Sequence, residues 1–497
     1  MKNKGKIFKN IFFGFGSKLI TLVLGFVVPR LFIISFGSEI NGLVSTVTQI
    51  FTYLALLEAG IGNSTVNALY GPITSNNKDE INCVLTQARK YYRKITIIYA
   101  MAVIAFAVVY PAIANSEVDY ITILLIIFFQ GIANCITYFF AAPYDQLLMA
   151  DGKRYVTENS VFIVHIFTTV VRILLIYLGF NVVVVQGAYA LLALLRLPIT
   201  IVYCRHKYKF LDFHKEAKLN YLHERKAFLI HELSSTIFSN TDVFIVSTFC
   251  SFAYASVYTV YNLVFSALNS MVNMANAGLG FLLGENVHGD LEKLTKIYDV
   301  YSLLYAIIIF SIMTVAMIMI GPFVKLYTAG ITDIDYMLPY LPELFTVIAL
   351  FSGVRAVAAR LITVSGHAKK TQNRSVIEMI INLSASLILV NICGIYGVFI
   401  GTIVALIYRT NDILIYANKK ILKRTPWKEY KQIVYLTVVF LVFWLVYKFV
   451  AFSCASYLVF IIYGIVTFLV TIIVYFLVAI IFDKKKMFLI IKTLRNR

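Results

Sequence analysis

The sequence predicts an all-α polytopic membrane protein of about fourteen transmembrane helices. Two six-helix lobes related by a parallel repeat, plus two C-terminal helices, account for them, with both termini cytoplasmic. Three observations predict this. The 497 residues are 60% hydrophobic and 14% charged, whereas soluble domains carry roughly 25% charged residues. Of the 44 Lys and Arg residues, 35 fall in alternate gaps between long apolar runs. Finally, the first half finds counterparts in the second at a nearly constant offset of 213–215 residues.

A membrane helix needs about 20 apolar residues. Fourteen runs qualify, at 10–34, 42–69, 95–115, 120–149, 158–178, 181–204, 227–250, 255–283, 298–327, 336–365, 375–393, 395–417, 433–452 and 457–482. The first follows Lys2, Lys4, Lys6 and Lys9, as in the n-region of a signal peptide. It is too long for an h-region and lacks a small-residue cleavage site, so it reads as a retained span. The organisation that follows is an N-lobe at 1–204, a cytoplasmic linker at 205–226 and a C-lobe at 227–417. A cytoplasmic loop at 418–432, the last two helices at 433–482 and a basic tail at 483–497 complete it.

Short cytoplasmic loops hold Lys and Arg, and translocated ones do not. The N-terminus and the gaps near 78–94, 153–154, 205–226, 284–297, 366–374 and 418–432, together with the tail, hold all 35 loop cations. The gaps at 35–41, 116–119, 179–180, 251–254, 328–335, 394 and 453–456 hold none. Both ends of a multi-pass protein are therefore expected in the cytoplasm. The net charge of +19 is spread over membrane loops, so it is no nucleic-acid footprint. The anionic inner membrane surface explains most of it.

The remaining composition excludes more than it suggests. Cys83, Cys135, Cys204, Cys250, Cys393 and Cys454 share no short spacing, so neither a metal site nor a disulfide framework is expected. The outer gaps are too short to carry an external catalytic set. Asp333-Ile334-Asp335 mimics a glycosyltransferase metal motif, but it lies on the outer side, away from nucleotide-sugars, and reads as a solvated loop. The chain is thus expected to be no enzyme and to hold no cofactor.

The repeat rests on many weak matches. Thr46, Val47, Gln49 and Asn63 meet Thr259, Val260, Asn262 and Asn276; Gly152 meets Gly366, and Gly179 meets Gly394. A steady offset between spans of one orientation implies parallel repeats, with the substrate site between them.

Polar residues inside the spans point to function. Asn262, Ser266, Asn269, Asn273 and Asn276 fall on one face of span eight. Lipid offers amides no partners, so this face should line a cavity or pack on protein. Glu232, Ser235, Ser239 and Asp242 line one face of span seven, and Gly14, Lys18, Thr21, Gly25 and Pro29 one side of span one. Nine cations lie inside the spans, where each costs several kcal/mol. Lys325, Lys448 and Arg360 are near enough to span ends to snorkel. Arg172 lies roughly 21 Å from the start of its span and Arg355 roughly 16 Å from the inner end of its own. These two, with Lys18, Arg30, Arg196 and Arg409, are the candidate substrate-binding cations. Glu58, Asp145, Asp242 and Asp412 are their candidate partners, and Glu58, Asp145 or Asp242 could instead carry a coupling H⁺ or Na⁺. A surplus of embedded cations over acids implies a carrier for an anion.

Several stretches together resemble the polysaccharide-biosynthesis (O-antigen and capsule repeat-unit) flippases of the multidrug/oligosaccharidyl-lipid/polysaccharide exporter superfamily. They are Val28-Pro29-Arg30 leading to Phe36-Gly37-Ser38-Glu39-Ile40-Asn41-Gly42-Leu43; Glu58-Ala59-Gly60-Ile61-Gly62 through Ala68-Leu69-Tyr70; and Ser239-Asn240-Thr241-Asp242. The order and spacing fit along 1–430. The resemblance implies two lobes that open alternately to each side and move an undecaprenyl-diphosphate-linked oligosaccharide outward. It implies basic cavity residues for the diphosphate, which Arg30 matches by position. Span eight carries the Asn stripe where a basic counterpart would stand, which favours a repeat-unit glycan over lipid II. Partners would be the lipid-linked oligosaccharide, membrane lipids, a polysaccharide polymerase and glycosyltransferases. A cation-coupled multidrug exporter of the same fold and a membrane glycan enzyme are the competing readings.

Overall fold

Apolar runs of this length satisfy their backbone only as helices in hydrocarbon, and the described residues are helical almost throughout. The structure, a computed structural model, describes residues 4–114, 116–214, 236, 240–287, 290–449, 454, 456–484 and 486–488. The helices are α1 (Lys4–Thr74), α2 (Lys78–Ile113), α3 (Tyr120–Phe140), α4 (Ala142–Ala150), α5 (Arg154–Tyr177), α6 (Val182–Ala193) and α7 (Arg196–Lys207). A short α8 follows at 240–249. Then come α9 (Phe252–Asn286), α10 (Leu291–Tyr327), α11 (Leu341–Val354), α12 (Ala356–Val364), α13 (Ala368–Cys393), α14 (Ile395–Tyr416), α15 (Trp427–Phe449) and α16 (Tyr457–Phe482).

Eleven helical stretches among the described residues are long and apolar enough to cross a membrane. The protein is an all-α multi-pass membrane protein. Gly37, at φ 84° and ψ 169°, breaks α1 into two spans, a conformation an L side chain adopts only under strain. Ala141 interrupts the fourth span between α3 and α4, and Arg355 interrupts the tenth between α11 and α12.

Those two breaks lie 214 residues apart, the offset read from sequence. Gly152 and Gly366, also 214 apart, both take positive φ (67° and 71°) just after α4 and α12. Each sits in the same six-to-one cap, with Lys153 N donating to Leu148 O and His367 N to Ile362 O. Gly179 and Gly394, 215 apart, take φ of 78° and 58° after α5 and α13. Backbone geometry therefore repeats where the sequence barely does.

The chain divides by contact density into two compact units, Met1–Ser256 and Val257–Arg497. The described part of the seventh span, α8, groups with the first unit rather than with the C-lobe that the sequence pattern assigns it to. The reason is its packing. Thr241 Oγ1 shares a 2.8 Å hydrogen bond with Tyr53 Oη, Ser247 Oγ one of 3.0 Å with Tyr110 Oη, and Phe244 lies against the Tyr110 ring.

The Gly37–Leu43 stretch has a clear structural role within the first unit. Glu39 Oε1 accepts from Ala253 N at the first turn of α9, and Asn41 Nδ2 donates to Ser256 Oγ at 2.7 Å. Gly42 lies so close that a Cβ there would stand 1.7 Å from Phe252 O. The start of span two thus meets the start of its own repeat counterpart, 214 or 215 residues on. Gly42→Val should lower thermal stability by about 1–3 kcal/mol or more. Gly25→Ala, where nothing among the described residues lies within 4 Å, should leave the melting curve unchanged.

In the second unit, α15 and α16 pack on α10. Phe310, Leu436, Tyr475 and Ala479 form the core between them, and Thr314 Oγ1 shares a 2.8 Å hydrogen bond with Tyr475 Oη. This cover explains why 72% of the apolar window of α10 is buried, against 28% for its repeat counterpart α2. After α14 the chain widens into a π-turn, Ala417–Ile421. Asn418 Nδ2 there donates to Glu429 at 2.7 Å, and Arg424 pairs with Asp299 at 2.7 Å, which fixes the start of α15 against α10.

Candidate functional site

In the first unit the deepest sequence candidate, Arg172 of α5, makes no ion pair among the described residues. One Nη donates to Gln186 Oε1 of α6 at 2.8 Å. The guanidinium carbon lies 3.6 Å from the Tyr189 ring centroid and 5.4 Å from that of Phe32. Its Nε is buried without a hydrogen-bond partner among the described residues, as is Gln186 Nε2. A planar guanidinium suits this arrangement, because its faces stack on rings while its edge keeps donors to spare. An amide and two π faces hold the charge without neutralising it.

A second cluster in this unit mixes signs. Arg196 of α7 pairs with Asp145 of α4 at 2.6 Å, and Thr157 Oγ1 donates to the other Asp145 oxygen at 3.2 Å. Glu58 of α1 accepts from Tyr92 Oη at 2.8 Å and from Gln146 Nε2 at 3.5 Å. A Cβ on Gly62 would stand 3.1 Å from Gln146 and 3.3 Å from Glu58. The Glu58…Gly62 spacing therefore makes room for this cluster. Asp145 thus holds the cation, while Glu58 is held by a hydroxyl and an amide, and intramembrane carboxylates of this kind serve in proton and ion pathways. Asp145→Asn should weaken the hold on Arg196, where breaking a part-buried pair costs about 3 kcal/mol, read as a lower melting temperature.

The second unit gathers three guanidiniums on two carboxylates. Arg355, at the break between α11 and α12, pairs with Glu378 of α13 at 2.5 Å. Arg409 of α14 reaches Glu378 at 3.3 Å and Asp412 at 2.6 Å, and donates to Ser375 Oγ at 2.9 Å. Arg374 pairs with the other Asp412 oxygen. Glu378 is the residue that sequence reasoning missed. The signal was present, an acid one turn into span eleven, but only the fold brings α13 beside Arg355 and Arg409. Asp412 was among the expected partners. Lys448, expected to snorkel, pairs with Glu343 at 2.9 Å.

The polar stripe of α9 lies on an open face. Asn262 and Asn269 are half-buried, Ser266 and Asn273 are exposed, and Ser266 Oγ donates to Asn262 Oδ1 at 3.2 Å. The flank beside it carries the buried rings of Tyr258, Tyr261 and Phe265, packed on Phe345. The helix thus buries rings and presents amides. Arg30 is half-buried in α1 just after Pro29, and Asp242 is buried in α8. The side chains of Lys18 and Asn276, and residues Glu232, Ser235 and Ser239, lie outside the described residues.

Several solved structures share this fold. The chain is similar to the lipid II flippase MurJ in an inward closed conformation, with a TM-score of 0.68 at 14% identity over 96% of this chain and 99% of that one. It is similar to an inward-facing multidrug resistance MATE family transporter of the MOP superfamily, with a TM-score of 0.63 at 14% identity over 81% and 95%. The MATE multidrug transporter DinF-BH matches at a TM-score of 0.56 and 16% identity over 82% and 94%. No protein-family model and no curated protein matches the sequence.

Proposed function

We propose that the protein is a flippase that moves undecaprenyl-diphosphate-linked oligosaccharide repeat units from the inner to the outer leaflet of a bacterial cytoplasmic membrane. The observation that carries this is Arg172, a deep cation held by an amide and aromatic rings with no carboxylate beside it among the described residues. A bare cation in a membrane costs several kcal/mol, and an anionic substrate group would offset that cost. The open amide face of α9 suits a sugar, whose hydroxyls both donate and accept. Arg30, Arg196, Arg355, Arg409 and Lys18 remain candidate contacts, three of them now with acidic partners. Glu58, hydrogen-bonded but without an ion pair to a cation among the described residues, is the first candidate for a coupling H⁺ or Na⁺. The chemistry is relocation, not bond-making, with a polysaccharide polymerase and glycosyltransferases as pathway partners.

In a strain lacking this gene and any redundant flippase, surface glycan should fall away while lipid-linked repeat units accumulate inside. Normal surface polymer in that strain would overturn the reading. The fold is shared with MATE multidrug transporters, and the carboxylates Glu58 and Asp145 would suit a cationic drug. Drug-efflux assays on the same strain separate the two.

The cation distribution supports cytoplasmic termini. On that topology Cys454 would lie in an outer gap and Cys83 in an inner one. A membrane-impermeant maleimide applied to whole cells should label a variant retaining only Cys454 and spare one retaining only Cys83. The reverse pattern would invert the topology.

A further inference from the structure

The cations that set the topology also build a pocket. In the first unit, at the end of the helices that bears the basic loops, a cavity of about 630 Å³ is lined by Arg89, Lys90 and Arg93 of α2, by Arg205 in the last turn of α7 and by Lys209 just past it. None of these five makes an ion pair among the described residues. Asp212, the acid on the rim, lies 3.1 Å from His214 Nδ1.

Its wall is fixed rather than loose. Asn82, buried in α2, donates to Phe210 O at 2.8 Å and accepts from Asp212 N at 3.1 Å. The Tyr208 hydroxyl donates to Asp151 at 2.7 Å, and burial together with that bond raises its pKa, keeping it protonated as a donor. Phe213 lies under the Arg89 guanidinium, 4.8 Å from it, and against the ring of Tyr144. Thr86, 3% exposed, lines the cavity with a hydroxyl that has no hydrogen-bond partner among the described residues.

The pocket also sits at the head of a lipid-facing stripe. Arg89 and Arg93 are followed on the same face of α2 by Ile97, Met101, Ile104 and Val108, each at least half exposed. Arg93 precedes Ile97 by roughly 6 Å along the axis. A molecule with a phosphate in the pocket would lay its chains along that stripe. Basic pockets among membrane helices on the side of the anionic leaflet bind such headgroups.

We propose that this pocket is a binding site for the phosphate of a membrane lipid, separate from Arg172 and independent of what the protein transports. Two sources share that chemistry, an anionic glycerophospholipid and a polyprenyl diphosphate. Native mass spectrometry of the full chain, released from micelles with equimolar phosphatidylglycerol, phosphatidylcholine and undecaprenyl diphosphate, tests it. The wild type should retain an anionic lipid over phosphatidylcholine. Arg89→Gln/Arg93→Gln should weaken that retention roughly 10- to 30-fold, whereas Arg89→Lys/Arg93→Lys should keep most of it. Lys419→Gln/Lys420→Gln, which removes two cations from the second unit, should have no effect. If the α2 variants fail to fold, Arg205→Gln/Lys209→Gln, at exposed positions, decides by the same readout. Retention of phosphatidylglycerol assigns the site to bulk lipid, and retention of undecaprenyl diphosphate alone assigns it to the carrier lipid. No preference over phosphatidylcholine, or an equal loss in the Lys419/Lys420 variant, would overturn the proposal.

Discussion

Glu378→Ala should be the most damaging single substitution in the second unit. It removes the carboxylate 2.5 Å from Arg355 and one of the two acids that pair with Arg409. With side-chain exposures of 16%, 8% and 9% for Arg355, Glu378 and Arg409, solvent cannot replace the lost carboxylate. Removing one member of a buried pair costs about 3–5 kcal/mol, most of it the stranded charge. The effect should appear in detergent as a fall in melting temperature of roughly 10 °C. Glu378→Gln, equal in shape but uncharged, should do nearly as much harm. Glu378→Met combined with Arg355→Met should recover part of it, because the stranded charge is then removed as well. An unchanged melting temperature in Glu378→Ala would show that the network is not what holds α11, α13 and α14 together.

Arg172→Gln should have the opposite signature, a stable protein that does not transport. The side chain gives up two cation–π contacts, each worth about 0.5–2 kcal/mol, and an amide can still bond Gln186. What it loses is positive charge. A close charge pair gains about 4 kcal/mol at an effective dielectric near 20, so a fall in glycan export of roughly 10- to 100-fold uses only part of that. Arg172→Lys should fall between, because an ammonium keeps the charge but not the planar stack on Tyr189. Full export by Arg172→Gln at matched expression would remove this residue from the substrate path.

The helical fold was legible in the sequence because hydrocarbon imposes a single solution on each apolar run. The repeat was also legible, and the backbone strengthens it. Gly152 and Gly366 stand out in sequence only as two glycines at a suggestive spacing, yet they take the same left-handed turn in the same cap. The division of the chain was less legible. Hydropathy separates span seven from span six by a basic linker, and nothing in it reveals that Thr241 and Ser247 bond Tyr53 and Tyr110.

The candidate site was half legible. Burial depth alone singled out Arg172 and Arg355 equally, and their surroundings differ sharply. Arg355 meets Glu378 from another helix, while Arg172 meets a glutamine and two rings. No spacing rule distinguishes these, because each contact joins helices whose register is set by packing. The basic pocket on α2 and α7 was invisible for a related reason. Arg89, Lys90, Arg93, Arg205 and Lys209 were fully explained as topology signals, and only the fold, by folding the 208–214 stretch back onto Asn82, makes them converge.

The proposed relocation of an anionic lipid-linked glycan should be reproduced by the purified protein in liposomes. Liposomes would carry an undecaprenyl-diphosphate-linked oligosaccharide, and its arrival in the outer leaflet would be followed with an impermeant sugar-modifying reagent. The wild type should expose the internal pool far faster than empty liposomes, Arg172→Gln should not, and the glycan should stay chemically intact. Exposure no faster than in empty liposomes, or equal rates for wild type and Arg172→Gln, would contradict it.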